Sequence, residues 1–236
     1  MRRFVDFCII PSSYEDEILD GLIKISRLLD ISLIGISFCQ LKQNQISKII
    51  MKFNEAGIDI AKRLDITPKT RIELLKELRK NRGIYEIICV NCNNTEVSIV
   101  ASRDRRVDLV SIGQKMTLRS IRKAINRISN KHLEIRMSEI LTSTKSKINV
   151  FRKLYEEISI AKYNKVPIIL SSGAKNSFMM RSPRDMAALG IFLGLDKIEA
   201  LNSVSKNPLS IIKENRKKLS NRWITEGVEI YRVPKK

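Results

Sequence analysis

Short apolar bursts recur along the chain every 20 to 35 residues, at 4–9, 33–38, 63–66, 85–90, 108–112, 133–136 and 166–170. Most are rich in Ile and Val, the composition of strands covered on both faces. Between them the apolar positions switch to helical spacing. Ile18, Leu22, Ile25 and Leu29 mark the first stripe, Ile46, Ile49, Ile50 and Phe53 the second, and Ile72, Leu75 and Leu78 the third. Leu118, Ile121, Ile125 and Ile128 mark another, and Ile148, Phe151, Tyr155 and Ile158 the longest. Each set places its apolar residues along one side of a helix. Residues 94–103 read as a weaker helix because of their β-branched residues. Ser13 with Asp16, Thr70 with Glu73, and Ser182 with Asp185 have the spacing of capping boxes.

Strand followed by helix, seven times over, predicts a parallel sheet. No Gly/Pro-rich linker divides the chain, so residues 1–236 are expected to form one domain, with 222–236 as a terminal strand and tail. The length is close to the ~250 residues of a (β/α) barrel. No eighth barrel strand is evident after Leu193. Residues 196–204 and 208–219 read as helices, and "GVEIYRV" as a final strand. The expected class is therefore α/β: a TIM-barrel-like fold of seven to eight parallel strands with an irregular closing unit.

Charge changes the picture next. Lys and Arg number 44 against 25 Asp and Glu, a net charge of +19. Such a surplus repels itself in the compact state and attracts polyanions, nucleic acid first and an anionic membrane surface second. No run approaches the ~18 apolar residues of a membrane span. The start, "MRRFVDFCIIPSSYEDE", is a poor secretory signal, and four cysteines are too few for a disulfide scaffold. A soluble, cytoplasmic chain without a membrane partner is expected.

Catalytic groups are scarce. His132 is the one histidine. That argues against a His-rich metal centre and leaves a Ser-His-Asp or Cys-His site dependent on chance geometry. Cys89 and Cys92 form a C-x-x-C, which with Cys8 and Cys39 could supply four thiolates, but buried apolar cysteines are the better reading. Asp6, Asp65 and Asp108 fall in three expected strands, where they could hold Mg²⁺ or satisfy backbone groups at the rim. The second role is preferred.

The cations are better organised. Residues 102–136 hold ten cations against three acids, and no acid lies between Lys115 and Lys131. A face of one sign repels itself unless an anion compensates it. A second cluster comprises Lys213, Arg216, Lys217, Lys218 and Arg222. Aromatic residues are only 6% of the chain, so platforms for stacking single-stranded bases are sparse. Recognition of RNA shape and phosphates is favoured over base reading. In 171–190, "SSGAKNSFMMRSPRDMAALG", a small-residue turn leads to a helix start with Ser182 as cap and Pro183 in the first turn. Arg181 and Arg184 flank that helix N-terminus, itself a favourable anion site.

The stretch "SSGAKNSFMMRSPRDMAALGIFLGLD", together with "SVSKNPLSIIKENRKK", "FVDFCI" and "ASRDRRVDLVSI", resembles the archaeal ribonuclease P protein component 3 family, over nearly the whole chain. The resemblance implies a TIM-barrel-like fold related to the polymerase-and-histidinol phosphoesterases, whose His-rich ligand set this chain lacks. It implies a protein subunit of an RNA-based endonuclease that removes the 5′ leader of precursor tRNA. The partners would be ribonuclease P RNA, precursor tRNA indirectly, component 2 and the other holoenzyme subunits. The protein would carry no catalytic residue and no cofactor, with Mg²⁺ held by the RNA. The residues expected to neutralise RNA phosphates are Arg103, Arg105, Arg106, Lys115, Arg119, Lys175, Arg181 and Arg184. The alternatives are a stand-alone metal-dependent barrel phosphoesterase, a general structured-RNA scaffold, and a basic scaffold that mainly contacts proteins.

Overall fold

The structure, a computed structural model, describes residues 2–38, 41–113, 116–128, 131–142, 146–220, 223–225 and 228–229. Seven parallel strands follow one another around a nearly closed barrel: β1 Phe4–Ile9, β2 Ile31–Ser37, β3 Asp59–Ile66, β4 Ile87–Cys92, β5 Leu109–Ile112, β6 His132–Arg136 and β7 Ile168–Ser171. The helices between them are α1 Asp16–Leu28, α2 Gln43–Glu55, α3 Arg71–Asn81, α4 Thr95–Arg103, α5 Leu118–Ile125, α6 Ser138–Thr142 and α7 Lys147–Tyr163. After β7 come α8 Pro183–Phe192, α9 Lys197–Ser203 and α10 Lys206–Lys218. A hairpin of β8 Trp223–Thr225 and β9 Val228–Glu229 forms its own two-stranded sheet. The remainder of the expected terminal strand lies outside the described residues.

The strand pattern is thus that of the sequence, and the closure is indeed irregular. At the seam the backbone amide of Gly173 donates to Cys8 O (2.9 Å), and that of Ile10 to Ala174 O (2.8 Å). Lower down, the amide of Val5 donates to Val204 O (3.0 Å), just past α9. The end of α9 therefore occupies the place an eighth strand would take and satisfies the edge of β1.

Several local expectations are corrected. Ser13 does not cap α1, which begins at Asp16 after Glu15. Ser12 N donates to Lys175 O and Tyr14 Oη to Ser37 O (2.6 Å), and these bonds hold the approach to the helix extended. Thr70 and Ser182 do cap α3 and α8, by accepting from Glu73 N and Asp185 N. In α3 the buried stripe is Leu74 and Leu78, and Ile72 stands in solvent. In α7 the buried stripe is Val150, Leu154, Ile158 and Ala161, whereas Ile148 and Tyr155 are exposed.

The lumen has two layers. In the lower one, Val5, Leu33, Ala61, Ile87, Leu109 and Ile169 pack with Ile211 and Ile212 of α10, which plugs the end where the strands begin. Polar bonds fasten the plug. Arg216 pairs with Asp59 (2.7 Å) and Glu86 (2.5 Å), and Asn215 Nδ2 donates to Glu86 O (2.8 Å) and to Asp108 Oδ1 (2.9 Å). Arg82 joins them through Asp108 (2.6 Å). The upper layer, toward the strand ends, is ionic.

Candidate functional site

Position in the strands explains the upper layer. Arg63 and Asp65 on β3, like Glu134 and Arg136 on β6, are two apart, so each pair projects to one side of its strand. All four meet in the lumen. Arg63 donates to Glu134 through Nη1 and Nη2 (both 2.6 Å) and to Asp65 through Nε (2.9 Å) and Nη2 (2.8 Å). Arg136 donates to Glu134 through Nε (2.8 Å) and to Asp65 through Nη2 (2.6 Å). The Arg63 side chain is fully buried. Its Nη1 also donates to Phe7 O (2.7 Å), where a bulge in β1 shifts the pairing with β2. Gly35 leaves room for that carbonyl, since a Cβ there would stand 2.3 Å from it.

Cys8, Asp65 and Glu134 bring potential metal-ligand atoms within 4.8 Å of one another. Those oxygens are already engaged. Glu134 also accepts from Ser171 Oγ (3.0 Å) and Cys89 Sγ (3.4 Å), so every oxygen of the two carboxylates takes at least one donor. Burial alone would raise the Glu134 carboxyl, but Arg63 and Arg136 outweigh it and bring its pKa down to about 2. Asp65 is likewise held below the usual carboxylate range by the two arginines, against its burial. Burial pushes the Cys8 thiol far up, which disfavours the thiolate a metal needs. The layer is an internally neutralised plug whose lone pairs are already committed.

The other candidate groups do not converge. Cys89 faces the lumen, whereas Cys92 packs in the core outside the barrel, where burial pushes its thiol up to about 12. Their three-residue spacing on a strand sends them to opposite sides, so the C-x-x-C does not chelate. Cys39 lies outside the described residues. Asp108 is fastened to Arg82 and Asn215 at the barrel bottom, remote in the fold from Asp65. His132 opens β6 at that same end, where burial lowers its pKa to about 4. Asp6 is buried at the seam, accepting from Ser172 N (3.0 Å), and burial raises its carboxyl to about 6.

The predicted RNA-contact residues fall at two ends of the barrel. Arg103 ends α4, and Arg105 and Arg106 lie between α4 and β5, at the end of the barrel where the strands begin. Arg103 and Arg105 are exposed, and Arg106 pairs with Asp104 (2.6 Å). Arg119 is exposed in the first turn of α5, at the strand-end rim. Lys115 lies outside the described residues. Lys175 and Arg184 are exposed in the β7–α8 region. Arg181 donates instead to Phe178 O (2.8 Å) and Met180 O (2.7 Å), so it braces its own loop. The second cluster is largely structural. Arg216 fastens the α10 plug, Lys218 pairs with Glu214, and Lys217 stacks on Trp223, while Arg222 lies outside the described residues.

Among the described residues, two exposed surfaces suit macromolecular partners. On α5 and the turn after it, Arg119, Arg122, Lys123 and Arg127 line one shallow cleft with Leu118 and Asn126, and no acid lines it. On α7 and α8, Ile148, Tyr155 and Phe192 are exposed, and Phe151 meets Phe192 edge-on at 5.8 Å. Sequence reasoning allowed a scaffold that contacts proteins through an uncovered apolar face but did not place this second surface, and it missed the ionic layer. The first signal for the surface was two apolar stripes on one helix, and for the layer the R-x-D and E-x-R pairs inside apolar strands. No helix among the described residues is long and apolar enough to cross a membrane.

Comparison with known proteins gives a consistent result. The family model described as RNase P subunit p30 matches residues 3–220. Proteins named ribonuclease P protein component 3 from Methanosarcina barkeri and Methanosarcina mazei are 23% and 24% identical, each over 97% of this chain and 95% of the relative. A chain in a cryo-EM structure of archaeal ribonuclease P with mature tRNA shares the fold, with a TM-score of 0.80 at 16% identity. That alignment covers 98% of this chain and 100% of the other.

Proposed function

Because the chain belongs to the RNase P subunit p30 family, we propose that it is the component 3 protein subunit of a ribonuclease P, the endoribonuclease that removes the 5′ leader of precursor tRNA. The protein supports the catalytic RNA and performs no bond cleavage itself. The observation that carries this division of labour is the ionic layer. In a (β/α) barrel, catalytic groups sit at the strand C-terminal ends. Here Arg63, Asp65, Glu134 and Arg136 fill that position and saturate one another. A stand-alone metal-dependent phosphoesterase is therefore not favoured. The Mg²⁺ of the reaction is assigned to the RNA, and the site of action to the cytoplasm.

Two surfaces suit the two kinds of partner in such an assembly. The α5 cleft, together with exposed Lys175 and Arg184 of the β7–α8 region, supplies cations for RNA phosphates, where each neutralised phosphate releases counterions. The apolar α7–α8 surface supplies aromatic and aliphatic anchors for another protein subunit, which we take to be component 2. Precursor tRNA is contacted through the RNA.

Reconstitution tests the reading. Ribonuclease P RNA and the partner subunits are assayed for precursor-tRNA cleavage with and without this chain. Addition should stimulate cleavage, while the chain alone with Mg²⁺ or Mn²⁺ should leave the substrate intact. Cleavage by the purified chain, abolished by Asp65→Asn, would overturn the reading.

A further inference from the structure

One aromatic side chain stands apart from both surfaces. Phe178 is 89% exposed, at the tip of the connection between β7 and α8. Fully exposed phenylalanines usually sit on loose segments, but this one is on a braced turn. Ser177–Met179 forms one 3-10 turn, capped by Asn176, whose Oδ1 accepts from Met179 N (3.2 Å). Arg181 Nη1 then holds Phe178 O and Met180 O from the other side. Ser177 rests against α1 at Gly21, where a Cβ would lie 3.1 Å from Ser177 Oγ. Upstream, the Lys175 carbonyl is tied to Ser12 N (3.0 Å). The backbone is thus fixed on every side, and the ring projects into solvent from a preorganised mount.

The neighbours show what the ring suits. Lys175 and Arg184 are exposed on either side in sequence; of the residues between, Asn176, Ser177, Arg181 and Ser182 are polar, while Met180 and Pro183 are buried and Met179 is half-buried. Within 171–190, Asp185 is the one acid. Arg184 is itself positioned, its guanidinium carbon 5.6 Å from the centroid of the Phe4 ring. Protein anchors sit within a wider apolar surface, as on α7 and α8. A single exposed aromatic on a braced turn, with cations three residues before it and six after it in the chain, suits a different ligand, a nucleobase with its flanking phosphates.

We infer that Phe178 stacks on an unpaired base of the RNA, with Lys175 and Arg184 engaging phosphates beside it. This rests on the reading of the chain as a ribonuclease P subunit. It adds a contact point that the low aromatic content of the sequence argues against, because one well-mounted ring suffices for one base. Arg181, expected to contact phosphate, acts here by presenting the ring.

The test uses the reconstituted holoenzyme. Phe178→Ala and Phe178→Leu should each weaken assembly of the chain onto the RNA–protein particle by about tenfold, while Phe178→Trp keeps it, because stacking needs a π face. Leu equal to wild type would overturn the inference in favour of simple apolar burial. With p-benzoylphenylalanine at position 178, irradiation of the holoenzyme should crosslink to RNA. Crosslinking to a protein subunit, or none at all, would overturn it. If the wild-type chain fails to enter the particle, the subunit reading falls and takes this inference with it. If wild type enters and all three variants match it, the stacking contact alone falls. Circular dichroism of the variants checks that the exposed substitution leaves the fold intact.

Discussion

The two halves of the barrel lumen face the same axis from the same strands, yet they are made of opposite materials. Below, Val5, Leu33, Ala61, Ile87, Leu109 and Ile169 close over Ile211 and Ile212 from α10. Above, two arginines and two carboxylates neutralise one another behind a bulged β1. The lower layer is held by burial, which acts in every direction and tolerates approximate fit. The upper layer is held by directional bonds among charges that are costly to desolvate, so removing any one of them leaves another uncompensated. The difference is one of material: the mouth of the barrel is filled by a saturated ion cluster, and the surfaces proposed for RNA and protein partners lie outside it.

The sharpest way to break this contrast is to delete one ion of the upper layer. Arg63→Met strands Glu134 and Asp65 with Arg136 as their sole cation, and should cost about 3–5 kcal/mol. Denaturant unfolding measures it. Adding Glu134→Leu to that variant should recover much of the loss, because Arg136 and Asp65 remain as a matched pair. If the double variant were simply the sum of two losses, the four side chains would not form one unit.

In the lower layer the same experiment has a different shape. Ile212→Ala opens a cavity under the barrel, and should cost about 2–4 kcal/mol. The loss should be the same at pH 5 and pH 8, because no titrating group of the layer changes its partner. A loss that varied strongly with pH would mean that Ile212 does not belong to the apolar plug.

Buried carboxyls give the contrast a sign. The folded pKa of Glu134 lies at about 2, below its ordinary value of 4.5. Its contribution is present above pH 4.5 and is lost as pH falls toward 2. Asp6 runs the other way. Burial raises its pKa from 3.8 to about 6, so the folded state holds its proton more tightly, and stability declines as pH rises from 4 through 6. Asp6→Asn should therefore gain relative to wild type between pH 4 and pH 7.5, by about 1–3 kcal/mol. Chemical unfolding of both proteins across that range checks it. A difference that moved against the variant would mean that Asp6 is ionised and compensated in the fold.

The strands were legible because burial on both faces leaves a continuous apolar run, and the helices because one side of each is apolar. The ionic layer was hidden for the same reason. Arg63 and Glu134 are 71 residues apart in the chain, and only the closed topology, which sets β3 opposite β6, brings them together. α7 misled through its richness: Ile148 and Tyr155 have helical spacing but lie off the buried side. Arg103, Arg105 and Arg106 belong to the same basic run as Arg119, yet the chain crosses the barrel between them. Sequence proximity joined what β5 separates.

The smallest expected effect on stability carries the comparison outside the barrel. Arg122 lines the exposed α5 cleft, and no ion pair engages it among the described residues. Arg122→Ala should change folding stability by less than about 0.5 kcal/mol, as surface substitutions do. Its effect should appear instead in RNA binding. The slope of log affinity against log salt concentration should fall by about one for the lost phosphate contact, with little dependence on RNA sequence. Thus an arginine in the lumen is read out by unfolding and one on α5 by salt. An Arg122 variant that unfolded more readily yet bound RNA with an unchanged slope would reverse the two roles and remove α5 from the RNA surface.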